Sequence, residues 1–393
     1  MRFPLTLAAL FLAAATPAAA AAAPCGGNFG AFLDGLKKEA VANGHDPATV
    51  NRFFRTARLD PKVIRADHAQ GVFKKTFIQF SRAVISQNRM DNGRRNARKF
   101  AAVFDRAQQQ YGVSRGVLLA FWALETDYGK VQGNFNTLNS LITLAHDCRR
   151  PDLFRPQIFA ALTLYENGDF DPQKTIGAWA GEIGMVQMLP GDILANGVDG
   201  DGDGHVRLKT SAPDALMTGA RMLSKLGWRP NEPWLQEIRV PASLDWSRTG
   251  LDTQIPVSEW ARLGVRARSG NLGPGGLKAS VLLPMGRKGP AFLAYPNYRV
   301  YFEWNKSFVY VTSAAYFATR LEGAPVYDAG HPEPALSDAQ MKALQKKLAR
   351  RGYDVGKIDG IIGAKTRVAV QQEQIRLGLP ADAWPTPDLL NRL

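Results

Sequence analysis

The chain has 393 residues, of which 45% are hydrophobic and 10% aromatic, as in soluble globular proteins with two or three domains. Its formal net charge of +14 is spread along the whole chain, which suits an anionic polymer or surface as partner. Apart from the start of the chain, no apolar stretch is long enough to cross a membrane, so we expect no transmembrane segment.

The first 23 residues have the pattern of a secretory signal peptide. Arg2 gives a short positive start, Leu5 to Ala15 form an apolar stretch, and the alanines that follow offer small-residue cleavage sites. Cys25 comes next, but Pro24 stands where a lipoprotein signal has a small residue, so we favour ordinary cleavage over lipid attachment. The sequence therefore predicts an exported, periplasmic protein, and export argues against nucleic acid as the anionic partner.

After cleavage the chain keeps two cysteines, Cys25 and Cys148. An even count in an oxidising compartment predicts a disulfide that ties the mature N-terminus to the main domain. Two unpaired thiols are the alternative.

The predicted elements are mainly helical. Apolar residues recur at helical spacing from Phe29 to about Arg106, and Ser114 is a candidate N-cap for a helix that ends near Glu125. Further helices are predicted over Leu153–Asn167, Pro213–Leu226 and Phe308–Leu321. Between about Trp228 and Asn305, Pro and Gly break up short apolar runs, which predicts a small α+β insert. Its candidate strands are Ile238–Val240, Ala279–Leu283, Phe292–Tyr295 and Arg299–Glu303.

The C-terminal part has a different organisation. Residues 323–335 contain three prolines and are predicted to be a semi-stiff linker between a main domain, residues 24–322, and a compact unit, residues 336–393.

Glu125 is the candidate catalytic residue. It closes an apolar run, residues 117–124, and a carboxylate at the end of an apolar helix is partly desolvated, which raises its pKa. A carboxylic acid that stays protonated near neutral pH can donate a proton to the leaving oxygen of a glycosidic bond. The alternative is an acid that simply marks a helix end facing solvent.

A second informative segment, residues 177–190, reads GAWAGEIGMVQMLP. Its glycines allow close approach of the backbone to another element or to a ligand. Gln187 can both donate and accept hydrogen bonds, which suits a sugar amide or hydroxyl. Alone, this segment is equally a tight loop packed on the core.

Together, the residues around Glu125 (ALETDYG) and the segment with Gln187 resemble the lytic transglycosylases of bacterial cell walls, most closely the lytic transglycosylase B family. The resemblance implies a lysozyme-like helical domain. It also implies non-hydrolytic cleavage of the β-1,4 bond between N-acetylmuramic acid and N-acetylglucosamine. The muramyl 6-hydroxyl attacks its own anomeric carbon and gives a 1,6-anhydro product, so Glu125 acts first as acid and then as base, and no organic cofactor is implied.

The resemblance also points to substrate-binding residues and to two departures. Asn305 and Tyr310 match family positions in or near the cleft, and Arg149 and Arg150 match a paired basic segment that would meet a lactyl or peptide carboxylate. For Tyr310 a plain core position is the alternative, and for the two arginines solvated charge. This chain has Ala178 where the family has serine, and Glu182 where the family usually has a small apolar residue, so Glu182 is a candidate cleft residue.

Residues 199–205 (DGDGDGH) have the ligand spacing of an EF-hand loop, with Asp199, Asp201 and Asp203 at alternate positions and the carbonyl of His205 next. Position twelve is a threonine, so we expect Asp214, slightly further on, to close the shell. The sequence predicts a structural calcium ion.

Residues 336–393 resemble the small three-helix peptidoglycan-binding domain, with Leu344, Leu348, Ile361 and Val370 as its core. We therefore expect an exported peptidoglycan lytic transglycosylase whose partner is the glycan strand. One alternative is a hydrolytic muramidase that uses Glu125 with Glu182. The other is a non-catalytic wall-binding scaffold, for which the missing serine at Ala178 is the support.

Overall fold

The computed structural model describes residues 24–69 and 75–393. The predicted signal peptide, residues 1–23, lies outside the described residues. The main domain contains helices α1 (Phe29–Ala42), α2 (Pro47–Phe54), α3 (Pro61–His68), α4 (Phe77–Val84), α5 (Gln87–Lys99), α6 (Ala101–Tyr111), α7 (Arg115–Thr126), α8 (Thr137–His146), α9 (Pro151–Glu166), α10 (Pro190–Asn196), α11 (Ala212–Lys225), α12 (Val257–Arg262), α13 (Pro296–Trp304) and α14 (Phe308–Leu321). The C-terminal unit contains α15 (Asp338–Arg350), α16 (Ala364–Arg376) and α17 (Pro387–Arg392).

The strands are short and form two antiparallel sheets. They are β1 (Phe135–Asn136), β2 (Ile176–Gly177), β3 (Leu235–Arg239), β4 (Ile255–Pro256), β5 (Arg266–Ala267), β6 (Lys278–Leu282) and β7 (Phe292–Ala294). β1 pairs with β2, and the other strands form a sheet in the order β4-β6-β7-β3-β5. The larger sheet belongs to the insert between α11 and α13. The predicted fold class, mainly helical with a small α+β insert and a C-terminal three-helix unit, is confirmed.

α7 and α14 pack against each other at the centre of the main domain. Residues 116–123 of α7 and 308–318 of α14 are buried without interruption, so each helix is covered on all sides. α7 ends at Thr126, one residue after Glu125, and Asp127 and Tyr128 beyond it both adopt left-handed backbone conformations. The last turn of this rigid helix carries Glu125.

One predicted strand is wrong. The run from Arg299 to Glu303 lies in helix α13, which starts at Pro296 with proline in its first turn. The β-branched and aromatic residues of this run resemble a strand. However, Tyr298 and Tyr301 are three residues apart, share one helix face and are fully buried. Tertiary packing on that face overrides the local preference.

The linker is packed on the main domain and is not a free spacer. Tyr327 is buried, and its hydroxyl lies 2.9 Å from that of Ser81. Glu333 pairs with Lys288 at 2.7 Å. These contacts hold the C-terminal unit close to the main domain.

The C-terminal unit docks on the main domain through α16. Arg367 is buried, donates to the carbonyl of Pro284 at 2.6 Å, and lies 4.4 Å from the centre of the Phe308 ring. Asp382 accepts a hydrogen bond from the guanidinium of Arg287 at 3.0 Å. The unit therefore lies beside the start of α14, close to the candidate site.

Cys25 and Cys148 form a disulfide that attaches the N-terminal segment to the end of α8.

None of the described helices combines the length and the apolar character that a membrane crossing requires.

Candidate active site

Glu125 lies in the last turn of α7, and two aromatic side chains from other helices hold its carboxyl group. The hydroxyl of Tyr310 donates to Oε1 of Glu125 at 2.5 Å, and the indole Nε1 of Trp304 donates to the same oxygen at 3.0 Å. Both bonds end on Oε1, which fixes the carboxyl in one orientation and leaves Oε2 for a reacting group.

The surroundings of Glu125 favour its protonated form. Burial raises the pKa of this carboxyl, and the hydrogen bonds from Tyr310 and Trp304 lower it by less, while the charge of Glu182 raises it further. Glu125 therefore keeps its proton to higher pH than an exposed glutamate does. Asp127, two residues away, pairs instead with Arg89 at 3.1 Å and is not a partner of Glu125.

The junction between α13 and α14 positions both aromatic donors. Trp304 stacks on Phe121 of α7, with ring centres 4.3 Å apart. The side chain of Asn305 accepts a hydrogen bond from the Ser307 backbone at 2.9 Å, and Ser307 in turn caps α14 at Tyr310. Asn305 therefore shapes the turn that sets Trp304 and Tyr310. The sequence analysis missed Trp304, although it lies next to Asn305.

The segment from Gly177 to Pro190 is fixed beside the end of α7. The hydroxyl of Thr126 donates to the carbonyl of Met185 at 2.6 Å. Gln187 donates from Nε2 to the Gly184 carbonyl at 2.8 Å, so this amide partly serves to hold the loop. A Cβ on Gly177 would collide with the carbonyl oxygen of Glu182, which explains the glycine there.

Glu182 lines a cleft of about 1040 Å³ between the main domain and the C-terminal unit. The main-domain side of this cleft includes Trp179, Arg150 and Lys306, and the opposite side is formed by residues 355–366. The lining includes Glu182 but not Glu125, whose Oε1 is occupied by Tyr310 and Trp304. Burial raises the pKa of Glu182, and its own backbone N–H, the charge of Arg150 and the N–H of Ala180 lower it by less.

Arg149 and Arg150 both pair with the buried carboxylate of Asp67 on α3. Arg150 also lines the cleft and stacks over Phe154, 5.0 Å from the ring centre. Arg149 is not among the residues that line the cleft. Of the two predicted basic residues, the structure therefore brings Arg150 to the cleft, while Arg149 holds Asp67 from outside.

The predicted calcium loop brings one carboxylate oxygen each from Asp199, Asp201 and Asp203 within 4.8 Å of one another. Asp199 also accepts hydrogen bonds from the backbone of Gly202 at 2.6 Å and of Gly204 at 2.8 Å. Three hard oxygen donors so close together fit a calcium ion, because they repel one another without a cation.

Asp214, the residue predicted to close the shell, lies outside the three carboxylates that approach within 4.8 Å of one another. It is fully buried, and its two oxygens accept hydrogen bonds from the backbone of Gly200 at 2.8 Å and of Arg207 at 2.7 Å. Its carboxylate therefore braces the loop from inside. The His205 ring lies 2.8 Å from Asp169, so this residue offers the loop its backbone carbonyl and not its imidazole.

A mainly helical domain with a half-buried, orientated carboxylic acid near a large cleft fits the class of enzymes that cleave polysaccharides by acid catalysis. The chain matches the model of the Transglycosylase SLT domain over residues 28–319, and that of the Putative peptidoglycan binding domain over residues 337–393. It belongs to the Transglycosylase SLT domain family. The predicted resemblance to lytic transglycosylases with a C-terminal wall-binding unit is confirmed.

Three relatives illustrate the likeness. SltB3 from Pseudomonas aeruginosa, solved in complex with NAG-anhNAM-pentapeptide, is 36% identical, has a TM-score of 0.85, and is matched over 93% of this chain and 99% of its own. Escherichia coli Slt35, solved in complex with calcium, is 24% identical with a TM-score of 0.64, over 76% of this chain and 96% of its own. Membrane-bound lytic murein transglycosylase B of E. coli K12 is 28% identical over 153 residues, 39% of this chain and 42% of that protein. The match thus spans less than half of that curated relative.

Proposed function

We propose that this protein is a peptidoglycan lytic transglycosylase that cleaves the β-1,4 bond between N-acetylmuramic acid and N-acetylglucosamine without water. Membership of the family supports this proposal. So does the likeness over nearly the whole chain to SltB3, which was solved with a fragment that contains anhydromuramic acid.

Glu125 performs both proton transfers in the proposed reaction. Its protonated carboxyl gives a proton to the glycosidic oxygen, and the bond between that oxygen and C1 of the muramyl sugar breaks. The resulting carboxylate then accepts the proton of the muramyl 6-hydroxyl as O6 bonds to C1. The proton count balances, Glu125 is regenerated as an acid, and no second carboxylate is needed.

The observation that carries the proposal is the environment of Glu125. Burial raises its pKa and so favours the protonated form that the first step requires. Tyr310 and Trp304 donate to Oε1 and stabilise the carboxylate that the first step leaves. One residue can therefore act as acid and then as base.

A hydrolytic muramidase is the second candidate, because Glu182 lies in the cleft near Glu125. In that reaction Glu182 would have to be ionised to activate water. Burial raises the pKa of Glu182, which disfavours the ionised form, so we favour the transglycosylase.

One polar residue at the cleft is proposed to contact the substrate, and four others are proposed to position the site. Arg150 is the candidate partner for a lactyl or peptide carboxylate, because its guanidinium borders the cleft. Tyr310 acts on the substrate through Glu125, and Asn305 and Gln187 shape the turn and the loop on either side. Arg149 supports Arg150 through their common partner Asp67.

A calcium ion in the loop of Asp199, Asp201 and Asp203, with the carbonyl of His205, is also proposed. Such an ion would neutralise the three carboxylates and stiffen the connection between α10 and α11. Asp214 supports the loop through its backbone hydrogen bonds. The structure of the E. coli relative Slt35 was solved in complex with calcium.

Export to the periplasm is proposed from the signal-like pattern of the first 23 residues and from the disulfide between Cys25 and Cys148. The C-terminal unit is proposed to bind the wall, since it matches a peptidoglycan-binding family. Binding there raises the effective concentration of the main domain on its substrate.

Mass spectrometry of the fragments released from purified peptidoglycan tests the function. The transglycosylase predicts muropeptides lighter by one water than hydrolysis would give, with 1,6-anhydromuramic ends. Reducing ends would establish the muramidase instead. If the protein binds the wall but releases no fragment, the scaffold alternative, which rests on Ala178, would replace both.

A further inference from the structure

Glu182 has an unusual position for a carboxylic acid. It borders the large cleft, and its backbone is held by a hydrogen bond from the Ala178 N–H to its carbonyl at 2.9 Å. The neighbouring Gly177 leaves no room for the loop to shift toward β2. The side chain therefore projects from a fixed point of the loop.

One oxygen of the Glu182 carboxyl is not satisfied inside the protein. Its Oε2 is buried and has no hydrogen-bond partner in the part of the chain that the structure describes. A carboxylate oxygen without donors costs free energy, whereas the carbonyl oxygen of a neutral acid tolerates such a position better. Since Oε2 is sealed in, Oε1 is the oxygen that a bound saccharide can reach.

The charges around Glu182 favour the neutral form on balance. Burial disfavours a charge on Glu182 and outweighs the backbone N–H groups of Glu182 and Ala180, which favour one. Its carboxyl also lies near enough to Glu125 on α7 for the two charges to repel each other. Arg150, at the start of α9, opposes this, but it is already paired with Asp67. Lys306, which lines the same side of the cleft, is paired with Glu303 at 2.9 Å. Among the described residues, no basic side chain forms a salt bridge with Glu182.

We propose that Glu182 is a specificity-determining residue that stays neutral and donates a hydrogen bond from Oε1 to the acetamido carbonyl oxygen of an N-acetyl sugar in the cleft. A neutral carboxyl group has one O–H to donate, and the amide carbonyl is the strongest neutral acceptor that such a sugar offers. This inference rests on the proposed function in one respect, namely that the cleft holds N-acetyl sugars.

Titration calorimetry with tri-N-acetylchitotriose tests the proposal apart from turnover. Three variants of the full mature chain are compared. The parent carries Glu125→Gln, which is expected to stop cleavage. The other two carry Glu182→Gln or Glu182→Ala in addition. Glu182→Gln keeps a neutral donor, so its Kd should stay within about threefold of the parent at about pH 6, whereas Glu182→Ala should raise Kd about tenfold. As the pH is raised the parent should weaken and the glutamine variant should not, because a carboxyl group ionises and an amide does not.

Cellotriose, which has hydroxyls in place of the acetamido groups, is the matched ligand. The preference for the acetylated sugar should fall about tenfold in Glu182→Ala and persist in Glu182→Gln. Equal affinity of parent and alanine variant would overturn the proposal. So would an equal loss in both variants, which would mean that an ionised carboxylate is required. Because the assay measures binding alone, it remains informative if the wild-type protein makes no anhydro product.

Discussion

Two acidic regions of this molecule hold carboxyl groups in opposite ways. Glu125 is enclosed between α7, α13 and α14, and burial raises its pKa. Asp199 stands in an exposed loop, where the backbone N–H groups of Gly204, Gly202 and Asp203 lower its pKa. The same functional group is thus prepared to give up a proton in one place and to bind a cation in the other.

The difference shows which physical effect decides the chemistry of each region. At Glu125 desolvation outweighs two hydrogen bonds, so the neutral acid is favoured. In the loop, backbone donors stabilise the charge of Asp199, and the close approach of Asp201 and Asp203 makes a cation the natural counterpart. The predictions below separate these two environments.

Glu125→Gln should have the largest effect. It keeps the shape of the side chain but has no proton to give, so cleavage of purified peptidoglycan should fall by about 100- to 10,000-fold. Sedimentation with insoluble peptidoglycan should show unchanged binding. Asp127→Asn is the matched control, because Asp127 pairs with Arg89 and not with Glu125, and it should stay near wild-type activity. Substantial turnover by Glu125→Gln would remove this residue from its role.

Tyr310→Phe should reduce kcat/KM about tenfold, because it removes a donor that stabilises the Glu125 carboxylate. The hydrogen bond from Tyr310 lowers the pKa of Glu125, so its loss should raise that pKa and move the basic limb of the pH–rate profile to higher pH. Trp304→Phe should shift the limb in the same direction. A basic limb that moves to lower pH in both variants would contradict this arrangement.

Calcium should raise the melting temperature of the protein by a few degrees, since saturating ligand adds about 3 kcal/mol to the free energy of unfolding. Asp201→Ala should cancel that increase in differential scanning fluorimetry with and without chelator. Asp252→Ala, an exposed acid outside the loop, is the control and should keep the increase. An increase that survives in Asp201→Ala would place the ion elsewhere.

The smallest effect concerns stability and pH. Glu125 has a raised pKa in the folded state, so it holds its proton more tightly there than in the unfolded chain. Its contribution to the free energy of unfolding is therefore present at low pH and is lost as pH rises above the ordinary value for glutamate. Glu125→Gln should be more stable than wild type, and by more at about pH 8 than at about pH 5. Chemical denaturation at both values measures this, and an equal difference at the two would contradict it.

Local patterns were enough to predict most helices and to select Glu125 and the loop of Asp199 as candidates. α14 begins and ends at the predicted residues, because its apolar run and its serine cap are local signals. The run from Arg299 to Glu303 was misassigned since its composition suits a strand, and only burial of Tyr298 and Tyr301 on one face selects the helix.

Features that depend on distant residues were not predictable. Trp304 reaches Glu125 across 179 positions of the chain, and no periodicity reports such a contact. Asp214 follows the calcium loop closely enough to suggest a ligand, but folding turns its carboxylate toward backbone N–H groups. The docking of the C-terminal unit through Arg367 depends on a surface built from α14 and the insert.

The central claim is that burial raises the pKa of Glu125 above that of an exposed glutamate. The most direct measurement is a pH titration of the glutamate side-chain carboxyls by carbon-13 NMR in labelled wild-type protein, with Glu125→Gln to assign the signal. We predict that the signal missing from the variant titrates above the ordinary range for glutamate. A midpoint at or below about 4.3, the value for an exposed glutamate, would contradict the account.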